Sequence, residues 1–377
     1  MHRIAFVADT LYSSSGGGIL SGQYVVDRLR RDHEVVTVAS DGDAPLRAFQ
    51  LPVRAMRETR FVMAEPDREV LRDAFARSEV VHLQFPFWLS FAALDVARQL
   101  GLPVVAGFHV QPENALLSVG IHARWLNNAV YKLLVKQFYG KVDAVVCPTP
   151  FAEEKLRSHG LRTPTFVISN GVPPDAVAST ALLEPRPADP QAPFFILAVG
   201  RLAAEKRQDV IIEAVRLSKH RDRIRLVLAG GGPRQEDLER RASALPNGAE
   251  IGFLPRETLL RYFAEADLFV HASEVELEGM AVLEAMNAGL PALVAQAPES
   301  AASAFAMSDD FRFPAGDART LSARIDALVE DRAKLQAARE PYRRHARLFD
   351  FDASVDRLVR VYEAVLEQRH GSLARIA

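Results

Sequence analysis

Two groups of side chains in this sequence combine types and spacing that can do chemistry. One is acidic: Glu274, Glu276 and Glu278 crowd into a short stretch, Gly279 follows, and Glu284 comes after seven intervening residues counted from Glu276. Carboxylates accept hydrogen bonds from hydroxyls, and a glycine lets the backbone come close to a phosphate. Such acids can equally cap a helix and complement its dipole with no ligand involved. The other group is basic: Gly200-Arg201, then Lys206. An arginine fork and a compact ammonium suit a diphosphate, although most Arg and Lys are simply surface charges.

The elements that must position these groups can be read from the apolar pattern. Leu268–His271 is an apolar run too short for a helix, which predicts a buried parallel strand. It empties into the acidic loop, and Met280–Ala288 then has helical composition up to Gly289 and Pro291. Phe194–Val199 is another such strand, leading through Gly200, Arg201 and Lys206 into a helix over Gln208–Lys219. Ligands bind beyond the carboxyl ends of strands in open α/β sheets, where helix N-termini favour anions. A loop carboxylate there can hold sugar hydroxyls while Glu284, inside the helix, accepts from a ribose diol. Ile224–Ala229 ends in Gly230-Gly231-Gly232, a tight turn first and a ligand contact second. Ile251–Leu254 and a helix over Arg256–Ala266 follow, with a further strand at Ala292–Ala295.

The first half repeats the alternation. Arg3–Asp9 reads as a strand, and Gly16, Gly17 and Gly18 precede a helix over Ile19–Arg31, a placement suited to cradling a phosphate or sugar. Strands are expected at Val35–Ala39, Val80–Gln84, Val104–His109, Ala144–Pro148 and Thr165–Ser169. The fold class is therefore α/β with mostly parallel, doubly wound sheets. His109 closes one strand, and the chain is expected to leave it in an extended turn at Pro112.

The chain has 377 residues, 49% of them hydrophobic, and a net charge of −2, enough for two domains and with no basic excess pointing to nucleic acid. Its one cysteine, Cys147, allows no internal disulfide framework, which implies a reducing, cytoplasmic setting. No segment is long and apolar enough for a signal core or a bilayer span. Pro185, Pro187, Pro190 and Pro193 mark an interdomain linker over 181–193. The domains are placed at 1–180 and 194–352. A last helix over 353–377 carries an apolar stripe of Val355, Leu358, Val359, Tyr362 and Leu366.

Two other readings compete. Asp41, at the end of the second strand, stands where a dinucleotide-binding fold keeps its ribose acid, but the glycines lie too far beyond the first strand for that fingerprint. Asp41 and Asp43 also form an Asp-x-Asp metal pair or a plain turn. Residues 120–141 hold Arg124, Lys132, Lys136 and Lys141 among Trp125, Tyr131, Leu133, Leu134, Phe138 and Tyr139, and no acid. A basic amphipathic helix of this kind can lie on an anionic membrane or face the core with a solvated basic side.

Glu276, Glu284, Ala285-Met286 and Gly289-Leu290-Pro291 together resemble the donor-sugar motif of retaining GT-B glycosyltransferases of family 4. Arg201 with Lys206 is similar to that family's diphosphate-binding pair, and His109-Val-Gln-Pro-Glu to a run found in a subset of it. The likeness extends over essentially the whole chain. It implies two Rossmann-like domains facing a cleft, acceptor in the first and nucleotide sugar in the second, with the last helix returning to the first. It implies retention of anomeric configuration without an obligatory metal or a cofactor. The acceptor hydroxyl attacks from the face the diphosphate leaves, through an oxocarbenium-like state.

On this resemblance Arg201 and Lys206 hold the diphosphate, Glu276 orients sugar hydroxyls, Glu284 takes the ribose and His109 contacts the sugar. Gly17, Gly18, Gly200, Gly231, Phe253, Leu254, Gly279, Met280, Ala281 and Val282 line the donor, and Gln111, Glu113 and Asn114 the acceptor. The donor is expected to be a UDP-sugar, else GDP-mannose, and the acceptor a lipid or glycan hydroxyl. Peripheral membrane contact would run through 120–141. A nicotinamide-dependent oxidoreductase and a non-catalytic nucleotide-sugar-binding protein are the alternatives.

Overall fold

The computed structural model describes residues 1–13, 17–50, 62–118, 123–180 and 192–374. Gly16 and nearly all of the proline-rich 181–193 stretch lie outside these residues. The chain divides into two units, 1–170 with 351–377, and 171–350.

Unit 1 runs β1 (Arg3–Val7), α1 (Gly17–Leu29), β2 (Glu34–Ala39), β3 (Ala44–Pro45), β4 (Ala48–Phe49), β5 (Met63–Ala64), α2 (Arg68–Phe75), β6 (Val80–Leu83), α3 (Trp88–Gln99), β7 (Val104–Gly107), α4 (Pro112–Ser118), α5 (Arg124–Gln137), β8 (Ala144–Cys147), α6 (Pro150–Ser158) and β9 (Thr165–Val167). Its main sheet has the order β3-β2-β1-β6-β7-β8-β9 and every pairing within it is parallel. Strands β6, β7 and β8 are buried at every residue, which is why they read as unbroken apolar runs.

Unit 2 runs α7 (Pro174–Thr180), β10 (Phe194–Val199), α8 (Gln208–Leu217), β11 (Ile224–Ala229), α9 (Gln235–Ala242), β12 (Glu250–Gly252), α10 (Arg256–Glu265), β13 (Leu268–His271), β14 (Val275–Glu276), α11 (Met280–Asn287), β15 (Ala292–Gln296), β16 (Glu299–Ser300), β17 (Arg312–Pro314), α12 (Ala318–Glu330) and α13 (Arg332–Ala346). Its main sheet, also parallel, has the order β12-β11-β10-β13-β15-β17. In both sheets the strand order reverses, between β1 and β6 and between β10 and β13. Such switch points open a crevice at the carboxyl ends of the two strands.

The last helix, α14 (Phe351–Ala374), belongs to unit 1. Val355, Leu358, Val361, Tyr362 and Val365 pack with Ile4, Val80, Val105 and Ala144. The buried stripe thus gains Val361 and Val365 and turns Leu366 toward its edge.

Three local expectations change. The β7 strand ends at Gly107, so His109 stands two residues beyond it. Pro112 opens α4 instead of an extended turn: at the first helical position its missing N–H costs nothing and its fixed φ suits the helix. Helix α7, placed by sequence in the first domain, packs within unit 2, where Asn287 Nδ2 donates to the Ala176 carbonyl at 3.0 Å.

Candidate functional site

At the switch point of unit 2 the segment after β10 meets the segment after β13. Gly200 leaves the strand at φ 151° and its N–H donates to the Ala229 carbonyl at 3.0 Å. Arg201 is held by the buried carboxylate of Glu205, while Gln208 Nε2 donates to the Arg201 carbonyl at 2.9 Å. Lys206 Nζ donates to Glu276 Oε1. His271, closing β13, places Nε2 3.0 Å from the same oxygen. Burial alone would raise the Glu276 carboxyl, but the Lys206 charge and His271 outweigh it and hold the group well below the usual carboxylate range. A charged, fixed acceptor with a cation beside it can orient hydroxyls while the cation faces phosphate oxygens.

The neighbouring acids are placed differently. Glu274 accepts from Arg207, and Glu278 is buried. Glu274 and Glu276 therefore do not cap α11. That cap is Gly279, at φ 101° and without a side-chain bond. Glu284, in the middle of α11, lies 2.5 Å from Arg256 Nη2. Arg207 is the non-glycine with positive φ among the described residues, and its left-handed turn carries the chain from Lys206 into α8.

The remaining donor candidates sort by their surroundings. Gly231 has open space where a side chain would stand, Phe253 is 72% exposed, and Leu254, Met280 and Ala281 are half-buried. Val282 lies deeper: its side chain is in the unit-2 core and its N–H donates to the Gly279 carbonyl at 2.8 Å.

In unit 1, Gly17 opens α1 and Gly18 follows in it; a Cβ on Gly18 would lie 3.2 Å from Phe85 and 3.9 Å from the His109 Cβ. The glycine segment is held by Gln84, whose Nε2 donates to the Gly18 carbonyl at 3.2 Å. Burial lowers His82 to about 3, so its ring is neutral. Its Nε2 lies 3.3 Å from Gln84 Oε1 and its Nδ1 2.9 Å from the Tyr362 hydroxyl. With Gln84 Oε1 accepting, the neutral ring carries its proton on Nε2 and the tyrosine donates to Nδ1. This relay from α14 to α1 escaped the sequence because its members lie up to 280 residues apart.

His109 is also neutral, its imidazole lowered by burial to about 4. Its ring lies over the Gly107 backbone, where a Cβ would come within 2.4 Å of Nε2. Gly107→Ala should force the ring away. The expected result is an imidazole titrating nearer its ordinary 6.5 by NMR, with transfer reduced as far as in His109→Ala; an unshifted titration would count against this packing.

The acceptor candidates differ in their surroundings. Gln111 is fully buried, and Glu113, 5% exposed, accepts from the Tyr131 hydroxyl at 2.9 Å with Lys155 at 3.9 Å. Both are built into unit 1 because α4 folds back against α5. Asn114 is half-buried.

Asp41 is likewise committed: it accepts from the Thr10 hydroxyl and from the Leu11, Tyr12 and Ser13 amides at 2.6–2.8 Å. Asp43 takes Thr37 and Arg30, so the Asp-x-Asp stretch is a turn whose two carboxylates serve different partners. On α5, Tyr131 and Val135 face the core, while Trp125 (73%) and Leu133 (57%) are exposed beside exposed Arg124, Lys132 and Lys136. Among the described residues no helix is long and apolar enough to cross a membrane.

The fold is the GT-B one, two Rossmann-like units with the last helix in the first. Of the known families, "Glycosyl transferases group 1" matches residues 182–346 and "Glycosyltransferase Family 4" residues 23–176, together most of the chain. The chain belongs to the group 1 glycosyltransferases. It is 24% identical over 312 residues to an alpha-monoglucosyldiacylglycerol synthase of Streptococcus pneumoniae, covering 77% of this chain and 70% of that protein. It is 29% identical to a GDP-mannose-dependent alpha-mannosyltransferase of Mycolicibacterium smegmatis, over 78% and 80% of the two chains. Among solved structures, Anabaena HepE in complex with UDP-glucose superposes with a TM-score of 0.73 at 17% identity, covering 97% of this chain and all of that one, a likeness of fold.

Proposed function

We propose that this glycosyltransferase moves a hexose from a nucleoside-diphosphate sugar to a lipid or glycan hydroxyl with retention of anomeric configuration and without a cofactor or an obligatory metal. The donor is a UDP-sugar, with GDP-mannose the alternative. The observation that carries this is the cluster of Arg201, Lys206, Glu276 and His271 at the unit-2 switch point.

Arg201 and Lys206 neutralise the departing diphosphate as its charge grows, a role that pre-oriented cations fill at little reorganisation cost. Glu276 accepts from sugar hydroxyls. The backbone at Gly200, Gly231, Phe253, Leu254, Gly279, Met280 and Ala281 follows the nucleotide, and Glu284 takes its ribose. His109, neutral, contacts the sugar as a hydrogen-bonding group rather than a charge, and a phosphate oxygen of the donor takes the acceptor proton. The acceptor falls to unit 1 with Asn114. The exposed basic and aromatic face of α5 supports docking on an anionic bilayer, which puts a membrane lipid first among acceptors. The names of the two relatives, a glucosyl lipid synthase and an alpha-mannosyltransferase, agree with this reading.

The test is to incubate the protein with UDP-glucose, UDP-galactose or GDP-mannose and vesicles containing diacylglycerol and anionic lipid, with and without chelator, and to read the product anomer by NMR. An α-linked product, formed equally with chelator, is expected. A β-linked product would overturn retention, and loss of turnover with chelator would overturn metal independence.

A further inference from the structure

Glu284, Arg256 and Asp175 are brought together from three helices, α11, α10 and α7. Arg256 grips Asp175 with two parallel bonds, Nε to Oδ2 at 2.7 Å and Nη2 to Oδ1 at 3.0 Å. A two-pronged pair fixes the guanidinium plane. The same Nη2 then lies 2.5 Å from Glu284 Oε1. The Glu284 side chain is only 9% exposed, against 32% for Arg256 and 34% for Asp175.

A carboxylate receives both hydroxyls of a diol only while ionised, since its acid form gives up acceptor capacity and adds a donor. Burial pushes Glu284 above its ordinary range, Arg256 pulls it only part of the way back, and Asp175 adds a smaller upward push, so the carboxyl stays raised. The other charged groups facing α11 are engaged elsewhere. Arg339 and Arg343 of α13 donate to the Ala266 and Ala288 carbonyls, Arg261 and Glu265 of α10 pair with each other, and His271 of β13 faces Glu276. Among the described residues Arg256 is the cation within ion-pair distance of Glu284.

We propose that Arg256 is a positioning residue for donor recognition: clamped by Asp175, it keeps Glu284 ionised and fixes one of its oxygens, so that the other accepts the ribose diol of the nucleoside diphosphate. This rests on the ribose role given to Glu284 above. Arg256 follows Phe253, Leu254 and Pro255 directly, so the segment assigned to the nucleotide and the group that tunes the ribose contact are one continuous piece of chain.

The experiment measures the affinities of UDP, GDP and ADP and of their 2′-deoxy forms by calorimetry between about pH 6 and pH 9. Wild-type protein should favour the ribose form of its nucleotide. In Arg256→Met that preference should fall roughly tenfold near pH 6 and return as the pH rises, because Glu284 is protonated over a wider range, one pH unit corresponding to a tenfold change. Arg256→Lys should restore most of it.

Asp175→Asn removes the upward push and should move the midpoint the opposite way, to lower pH, a pair of opposed shifts that a merely structural role would not produce. It also keeps the test open if Arg256→Met does not fold. An intact ribose preference in Arg256→Met at every pH, or midpoints moving in the same direction, would overturn the proposal. Wild-type protein indifferent to the 2′-hydroxyl, with Glu284→Gln binding unchanged, would instead remove the ribose role itself and the proposal with it.

Discussion

Replacing Lys206 with alanine should lower transfer from the nucleotide sugar by about 10²–10³-fold, the usual consequence of deleting one pre-oriented group that stabilises charge in a transition state. The loss should appear mainly in kcat, because the charge on the departing diphosphate is greatest in the transition state. The same change disturbs the fold in a pH-dependent way. Glu276 is now held below its unfolded value, so it contributes stability above the ordinary carboxylate range and loses it only in strong acid. Without Lys206 only His271 opposes burial, and the Glu276 carboxyl rises from its depressed position. The variant then loses about 1–3 kcal/mol of stability at neutral pH, for a pair this little exposed, and the deficit shrinks as the pH falls through the carboxylate range. Thermal unfolding of wild type, Lys206→Ala and Lys206→Ala/Glu276→Gln at pH 5 and 7.5 reads this directly. The double variant should recover stability at pH 7.5 while remaining inactive. Near-normal kcat in folded Lys206→Ala would sink the assignment of Lys206 to the diphosphate.

That pairing also shows where the sequence stops being informative. The strands could be read because parallel strands covered on both faces must be apolar throughout, and the loops that follow them could be read because Gly, Arg, Lys and Glu interrupt those runs. The identities at Arg201, Lys206 and Glu276 were visible for that reason, and Glu284 by its spacing from Glu276. Their partners were not. Lys206 and Glu276 are 70 residues apart and meet because β13 lies beside β10, a choice of sheet order that no local pattern encodes. The acids before α11 looked like helix caps, since charge and position fit; the adjacency of the 205–207 segment gives Glu274 and Glu276 cations instead. His271 carried a faint signal, a polar residue closing an apolar strand. At Gln111 and Glu113 polar residues beside a candidate histidine suggest a surface, whereas both are buried where α4 packs against α5. Arg256 had no signal, being one charge among many on an amphipathic helix.

The glycines after β11 give a second large effect, and one that separates two adjacent residues. Gly230, at φ 152°, sits so close to the segment after β10 that a Cβ would stand 2.0 Å from the Gly200 carbonyl oxygen and 2.9 Å from its carbon. Backbone on both sides cannot give way, because the loops are stitched together: Gly230 N–H donates to the Gly252 carbonyl at 2.8 Å, Gly200 N–H to Ala229 at 3.0 Å and Leu202 N–H to Gly231 at 2.9 Å. Gly230→Ala should therefore cost about 3 kcal/mol or more, adding overpacking to a backbone conformation that alanine disfavours, and should abolish nucleotide binding in whatever fraction folds, since Gly200 and Arg201 must move. Gly231 lies outside the positive-φ set and has nothing within 4 Å of its added Cβ. Gly231→Ala should leave the unfolding midpoint nearly unchanged, yet weaken nucleoside diphosphate binding at least roughly tenfold, the cost of obstructing one close approach of phosphate to backbone. Denaturant midpoints and calorimetric affinities for the two variants decide the matter. Equal behaviour in both would mean that Gly231 is only part of the turn, and the donor path assigned across it would have to be withdrawn.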